Sequence, residues 1–244
     1  NFAHIWIAFY IFAFGNLTIF RFIRPGYLFF HHHFRIAKVV RETPRVTSVY
    51  ISGANMQDFK FSPGQFIIVR FLTAGFWWQA HPFSLSKSFD GKTLRLTIKN
   101  SGDFTSQISK LKTHTPIIID GPHGIFTAKQ SQKNHILLLA GGIGITPLTA
   151  LAHEFRTSQK DVVLIYAVKT KSDIVFGKEL ASFHPHIVVS SRGQHITPDL
   201  LAKLVPDIAL REAYICGPSL FNKSMETYLR NLGVTHIHSE KFSL

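Results

Sequence analysis

Residues 135–147 read HILLLAGGIGITP, and this stretch decides the fold of the second half of the chain. The apolar run His135–Ala140 reads as a strand buried on both faces, and the glycines after it form a tight turn. Ile145, Leu148, Leu151, Ala152 and Phe155 then recur at helical spacing. Further strands are expected at Val162–Val168, His186–Ser190 and Ala213–Cys216, each followed by a helical segment. Strand–helix alternation implies a doubly wound parallel sheet whose ligands lie at the C-terminal ends of the strands.

Toward the N-terminus the period changes. Between Phe34 and about Pro122 the segments RIAKVV, RVTSVYI, GQFIIVRF, TLRLTI and TPIIID are short and rich in Val, Ile, Thr and Phe, with Gly, Pro, Asn and Asp between them. With one short helical stretch near Thr105–Leu111, they predict a small antiparallel β-barrel. The expected order is a transmembrane helix over 1–26, a β-barrel domain over 34–124 and an α/β domain over 125–244. No internal repeat interrupts it.

The first helix is inferred from what the front of the chain lacks. Residues 1–20 contain no Lys, Arg, Asp or Glu, and Arg21 and Arg24 follow with no acidic residue before Glu42. About 20 apolar residues span a bilayer as a helix, and arginines beyond the run mark its cytoplasmic end. Trp6 and Tyr10 favour lipid contact over a one-sided soluble helix, the bland alternative. A signal peptide would carry its positive charge before the apolar run. Pro25 and Gly26 are expected to stop the helix near the interface, with His31–His33 on a juxtamembrane linker. His4 is expected to pack or make a polar contact within the span. The chain begins at Asn1 rather than Met, so it is expected to be a piece of a longer protein.

Bulk composition narrows the chemistry. Lys plus Arg number 27 against 14 Asp plus Glu, a net charge of +13 that attracts phosphate groups of nucleotides, nucleic acids or anionic membranes alike. Cys216 is the lone cysteine. That excludes an intrachain disulfide, a cysteine-based zinc site and a four-cysteine iron–sulfur cluster, and no metal site is expected. A redox cofactor of this chain is therefore organic, or is carried elsewhere.

Four motifs carry chemistry. His81-Pro82-Phe83-Ser84 offers aromatic surface and a hydroxyl at a strand end, suited to a planar heterocycle. Lys99-Asn-Ser-Gly102-Asp103-Phe104-Thr105 offers close backbone approach at Gly102, a capping hydroxyl at Thr105 and helix N–H groups for a pyrophosphate. Gly141–Pro147 closes a strand and opens a helix, where backbone amides and the helix dipole cradle phosphates; Thr146-Pro147 stands where a dinucleotide fingerprint has its third glycine. Cys216-Gly217-Pro218 ends the last expected internal strand. Each of these alone also reads as an ordinary strand end, turn or cap.

Taken in order, the motifs resemble the ferredoxin–NADP reductase superfamily, and most closely the dehydrogenase domain of the ferric reductase and NADPH oxidase family, with its last transmembrane helix. HPFS resembles that family's flavin motif, GDFT its phosphate element, Gly121–Gly124 (GPHG) its domain-closing GPYG, and GGIGITP and CGP its nicotinamide-nucleotide elements. The resemblance implies that His81, Pro82, Phe83 and Ser84 hold the isoalloxazine of FAD, with Ser84 near N5. It places Lys99, Gly102, Asp103, Phe104 and Thr105 around the rest of FAD. Gly142, Gly144, Thr146, Pro147, Gly217 and Pro218 would take the nicotinamide dinucleotide, with Cys216 beside the nicotinamide. Ser191-Arg192 looks like a pair that grips the 2′-phosphate of NADPH, although NADH remains possible. Phe242 resembles the C-terminal aromatic that covers the flavin and must move aside as a gate.

The implied activity is transfer of hydride from NADPH to FAD, then of single electrons toward a haem in a membrane segment upstream of Asn1. Oxygen or a ferric chelate would be the final acceptor. The rival readings are a soluble reductase component feeding a ferredoxin or oxygenase, and a non-enzymatic phosphate-binding module. No nucleic-acid partner is expected.

Overall fold

The computed structural model describes the backbone of residues 2–242 and the side chains of residues 2–241. It opens with α1 (Phe2–Thr18) and α2 (Arg24–His32), joined through a π-helical turn at Ile19–Ile23 into one 31-residue helix. None of the residues from Phe2 to Ile23 is buried. Phe12 is 71% exposed and Trp6 52%.

The expectation that Pro25 and Gly26 end this helix is corrected. Proline breaks a helix by removing one N–H and by driving its ring against the carbonyl four residues back. Here the wide π turn immediately precedes it, with Arg24 N bonded to Ile19 O, and Pro25 occupies the first turn of α2. The helix ends instead at His33, whose left-handed φ of 47° closes it. His32 is therefore part of the packed structure and not of a linker. It is 2% exposed, bonds Ala54 O through Nδ1 at 3.1 Å and stacks on Phe34 at 4.8 Å.

Six antiparallel strands follow: β1 (Arg35–Thr43), β2 (Val46–Ser52), β3 (Phe66–Phe71), β4 (His81–Ser84), β5 (Leu94–Lys99) and β6 (Ile117–His123). They pair as β1-β2-β5 and β4-β3-β6. Single bridges at Leu85↔Leu96 and Arg35↔Pro116 join the two sheets edge to edge into the expected barrel. Alternation supplies its interior. Along β3, Ile67, Val69 and Phe71 are buried and the residues between them are not. They meet Ile36, Val49, Leu96 and Ile119 in one core, each apolar side chain contributing about 1.5–3 kcal/mol. The helical stretch expected near Thr105–Leu111 begins earlier, as α3 (Asp103–Gln107), and passes into a 3-10 turn at Ile108–Lys110.

The second domain is a five-stranded parallel sheet of order β11-β10-β7-β8-β9. Its strands are β7 (His135–Gly141), β8 (Asp161–Val168), β9 (His186–Val189), β10 (Glu212–Pro218) and β11 (Ile237–Phe242). The helices are α4 (Ile145–Thr157), α5 (Gly177–Leu180), α6 (Pro198–Leu204) and α7 (Ser219–Asn231). Alternate residues of β7 serve opposite layers, which explains its unbroken apolar run. Ile136, Leu138 and Ala140 pack with α4, while Leu137 and Leu139 pack with α6 and α7.

One buried cation ties the domains together. Arg95 of β5 is 5% exposed and donates to Glu179 of α5 twice, at 2.7 and 3.2 Å. Its guanidinium also bonds Ser86 and lies 4.1 Å from the Phe176 ring centroid. His153 of α4 reaches the same carboxylate at 3.3 Å.

Candidate functional site

β4 lies antiparallel to β3, with Ser84 opposite Phe66 and His81 opposite Val69. The two-residue period directs His81 and Phe83 to one side, where their ring centroids are 6.4 Å apart. Phe104 closes this wall, stacked on His81 at 3.9 Å and nearly parallel to Phe83 at 6.4 Å. Only 8% of Phe104 is exposed, so the ring belongs as much to the barrel core as to the site. Partial burial pushes the His81 pKa below the ordinary value of 6.5 and favours a neutral imidazole.

The turn after β5 is held by one hydroxyl. Thr105 Oγ1 accepts from Ser101 N at 2.8 Å and from Gly102 N at 3.0 Å, and donates to Gly102 O. This fixes the chain direction as Asp103 opens α3. The Thr105 cap expected from the sequence is present, made from the third helical residue back to the turn.

A cavity of about 340 Å³ unites these pieces. Pro82, Ser84, Lys99, Gly102, Asp103 and Thr105 line it together with the aromatic wall, and Ile143 and Thr146 enter it from the second domain. Its flat aromatic side suits a tricyclic ring, and its far end offers the Lys99 ammonium and the Gly102 backbone to phosphate oxygens. The residues present therefore fit FAD.

The glycine turn between β7 and α4 is built by close approach. A Cβ on Gly144 would stand 1.9 Å from Cys216 O, so only glycine lets α4 begin against the end of β10. Thr146 Oγ1 donates to Ile143 O at 2.9 Å, and Pro147 sits in the first turn of α4 where its missing N–H costs nothing.

On the other side of this turn lies a second cavity, of about 490 Å³, at the C-terminal edge of the parallel strands. Gly142, Pro218, Lys169, His195 and Phe221 are among its lining. The Phe221 ring lies over the backbone of Gly141 and Gly217. The turn 141–144 thus stands between two cavities, one in each domain's territory.

Not every expected residue faces this space. Cys216 lies within β10, which runs two residues past the expected end, and it is wholly buried, its thiol in the core beside Ala140, Ile145 and Tyr214. Burial, with the Glu240 charge adding to it, pushes its pKa well up, so it remains a thiol and lines neither cavity. Ser191 and Arg192 are exposed on the turn after β9; Ser191 N bonds Lys169 O at 2.9 Å, but neither residue lines the second cavity. The Phe242 backbone pairs with Pro218, while its side chain, and with it the gate, lies outside the described residues. Sequence reading missed Lys169, His195 and Phe221. Lys169 directly follows β8, and the rule that ligands gather at the C-terminal strand ends would have marked it.

His135, Asp161 and Asp207 also converge, at the opposite end of the sheet. Arg211 already donates to Asp161 at 2.6 Å and pairs with Asp207 at 2.8 Å, which satisfies both carboxylates without an ion.

Comparison with known proteins agrees with this division. Residues 31–138 match the family model of an FAD-binding domain, and residues 138–227 that of an oxidoreductase NAD-binding domain. The ferredoxin reductase component of 3-ketosteroid-9-alpha-monooxygenase from Mycolicibacterium smegmatis is 32% identical over 85% of this chain and 64% of its own length. The glycine betaine monooxygenase reductase subunit of Chromohalobacter salexigens is 26% identical over 86% of this chain and 64% of its own length. The chain thus spans less than two thirds of these relatives. Among solved structures, the FAD/NAD-binding domain of nitric oxide dioxygenase from Vibrio cholerae superposes with a TM-score of 0.73, at 22% identity over 86% of this chain and 98% of that one. A ferredoxin NADP+ reductase from Neisseria gonorrhoeae with bound FAD and NADP gives 0.71, at 20% identity over 86% and 98%. The chain pairs an FAD-binding domain with an oxidoreductase NAD-binding domain.

Proposed function

We propose that this chain passes reducing equivalents from NAD(P)H to FAD and then, one electron at a time, to a protein-borne acceptor. The observation that carries the reading is the glycine turn 141–144, flanked by a flavin-sized cavity in front and a nucleotide-sized cavity behind. A dinucleotide laid across that turn has its pyrophosphate at the start of α4 and its two ends in different cavities. The chemistry that bound FAD would supply here is hydride acceptance and single-electron release. The chain's own part is orientation. His81, Phe83 and Phe104 hold the ring plane, Ser84 meets its edge, Lys99 and the turn at Gly102 hold the phosphates, and Thr146 fixes the turn. NADPH is the proposed donor, with Lys169 and His195 joining Ser191 and Arg192 near its 2′-phosphate; Phe242 remains the proposed gate.

The relatives' names support a reductase component that serves an oxygenase, directly or through a ferredoxin. A second reading, delivery to a haem-bearing membrane domain with both cofactor domains on the cytoplasmic side, is favoured by one observation. No residue from Phe2 to Ile23 is buried, and the helix carries no Lys, Arg, Asp or Glu before Arg21. Oxidation of NADPH by ferricyanide, a one-electron acceptor, tests the shared core of both readings. The rate should depend on added FAD; oxidation that ignores FAD, or none at all, removes the proposal.

A further inference from the structure

Where the helix meets the barrel, a groove of about 490 Å³ opens away from both cofactor cavities. Leu17, Phe20, Arg21 and Arg24 form one wall, spaced so that they share a single helical face. The outer surface of β3 and β6, with Phe66, Ile68, Asp120 and His123, forms the other. The groove is graded along the helix, apolar at Leu17 and Phe20 and cationic one turn later. The π turn at Ile19–Ile23 lies at this change, and such turns recur where helices carry function.

Charge balance at the junction is positive. Arg24 Nη2 donates to Gly121 O at 3.2 Å, which engages one of its five N–H groups. Arg70 joins Arg21 and Asp120 around an adjoining cleft. The opposing carboxylate is that of Asp120, which His123 Nε2 approaches at 3.2 Å. Three arginines thus face one aspartate, and among the described residues none of the three is in a salt bridge.

An apolar wall running into unpaired guanidiniums matches one ligand chemistry, an acyl chain joined to a phosphodiester. We infer that this groove binds an anionic phospholipid, with its chain along Leu17 and Phe20 and its phosphate at Arg21 and Arg24. The inference rests on the membrane reading above. It also gives α2 a purpose beyond connection. Pro25 and His32 are buried against the barrel, so a lipid phosphate held here fixes the flavin domain against the bilayer surface.

The test uses the full chain in nanodiscs of phosphatidylcholine mixed equally with phosphatidylglycerol, with retained lipid identified by mass spectrometry after extraction. The wild type should enrich phosphatidylglycerol. Arg21→Gln with Arg24→Gln should lose that enrichment by roughly fivefold per arginine, the effect of one basic residue at an anionic surface. Arg21→Lys with Arg24→Lys should keep most of it, and Lys38→Gln, exposed on β1, should keep all of it. Added inorganic phosphate should not displace the lipid. Equal retention of both lipids by the wild type, undiminished enrichment in the double Gln variant, an equal loss in Lys38→Gln, or displacement by phosphate would each overturn the inference. Insertion without enrichment would leave the membrane reading standing, whereas failure to insert would remove both. Reduction of FAD by NADPH in the same nanodiscs reports separately on the proposed activity.

Discussion

Arg95→Met tests how the two domains are held in register. The substitution keeps much of the side-chain length and removes the guanidinium that bridges β5 to Glu179. The two charge-assisted hydrogen bonds to Glu179 are lost, at 2.7 and 3.2 Å, each worth about 1.5–3 kcal/mol, along with the bonds to Ser86, whose hydroxyl keeps Thr97 as a partner. Glu179 is 27% exposed and keeps its His153 contact, so water and the imidazole recover part of the loss. We expect a cost of about 2–3 kcal/mol, below the ~3–5 kcal/mol of breaking a fully buried pair. For a chain of this size that lowers Tm by roughly 4–12 °C. The pH dependence gives a second signature. Burial alone would raise the Glu179 pKa from its ordinary 4.5, but the hydrogen bonds and charges of His153 and Arg95 lower it to about 2. The unfolded carboxylate takes its proton near pH 4.5 and the folded one near pH 2. The stabilisation is therefore full above pH 4.5 and is lost as pH falls toward 2. Thermal unfolding followed from neutral to acid pH should show a shallower acid loss in Arg95→Met, and a double-mutant cycle with Glu179→Gln should return a coupling of the same order. A variant within about 0.5 kcal/mol of wild type at pH 7, or one with an unchanged acid limb, would refute the reasoning.

The two site glycines should respond in opposite ways. Gly144→Ala forces a Cβ against Cys216 O and should cost roughly 1–3 kcal/mol or more, with loss of nucleotide binding by calorimetry. Gly102 has an extended φ of −178° and open space around its missing Cβ, so Gly102→Ala should leave stability within about 0.5 kcal/mol while weakening FAD binding. Because folded His81 resists protonation while the unfolded chain takes up a proton near pH 6.5, stability should fall as pH drops below 6.5; His81→Gln should flatten that part of the profile. Lys169→Ala and Arg192→Ala should each raise KM for NADPH more than for NADH in steady-state assays, and equal effects on both would remove the 2′-phosphate assignment.

The barrel and the parallel sheet were legible because their strands carry opposite signals. β3 alternates buried and partly exposed residues as a one-sided strand must, while β7 is apolar throughout because helices cover both its faces. Three of the four motif positions were legible for the same reason, since they fall where a strand ends, whereas His81–Ser84 is itself a strand, β4. Side-chain direction was not. Cys216 and Pro218 are two residues apart, yet one is buried and the other lines a cavity, and nothing in CGP announces which is which. The helix end at His32 was hidden because Pro25 normally stops a helix, and the π turn that accommodates it has no local sequence signature. His195 went unseen because it lies far from Lys169 in sequence and the two converge only across the C-terminal edge of the sheet.

Rapid mixing of the FAD-loaded full chain with one equivalent of NADPH, without oxygen, is the most direct test of the central claim. Loss of the oxidised flavin absorbance in a single turnover, slowed when Ser84 is replaced by Ala, is the expected result. Flavin that binds tightly yet stays oxidised with either NADPH or NADH would contradict it.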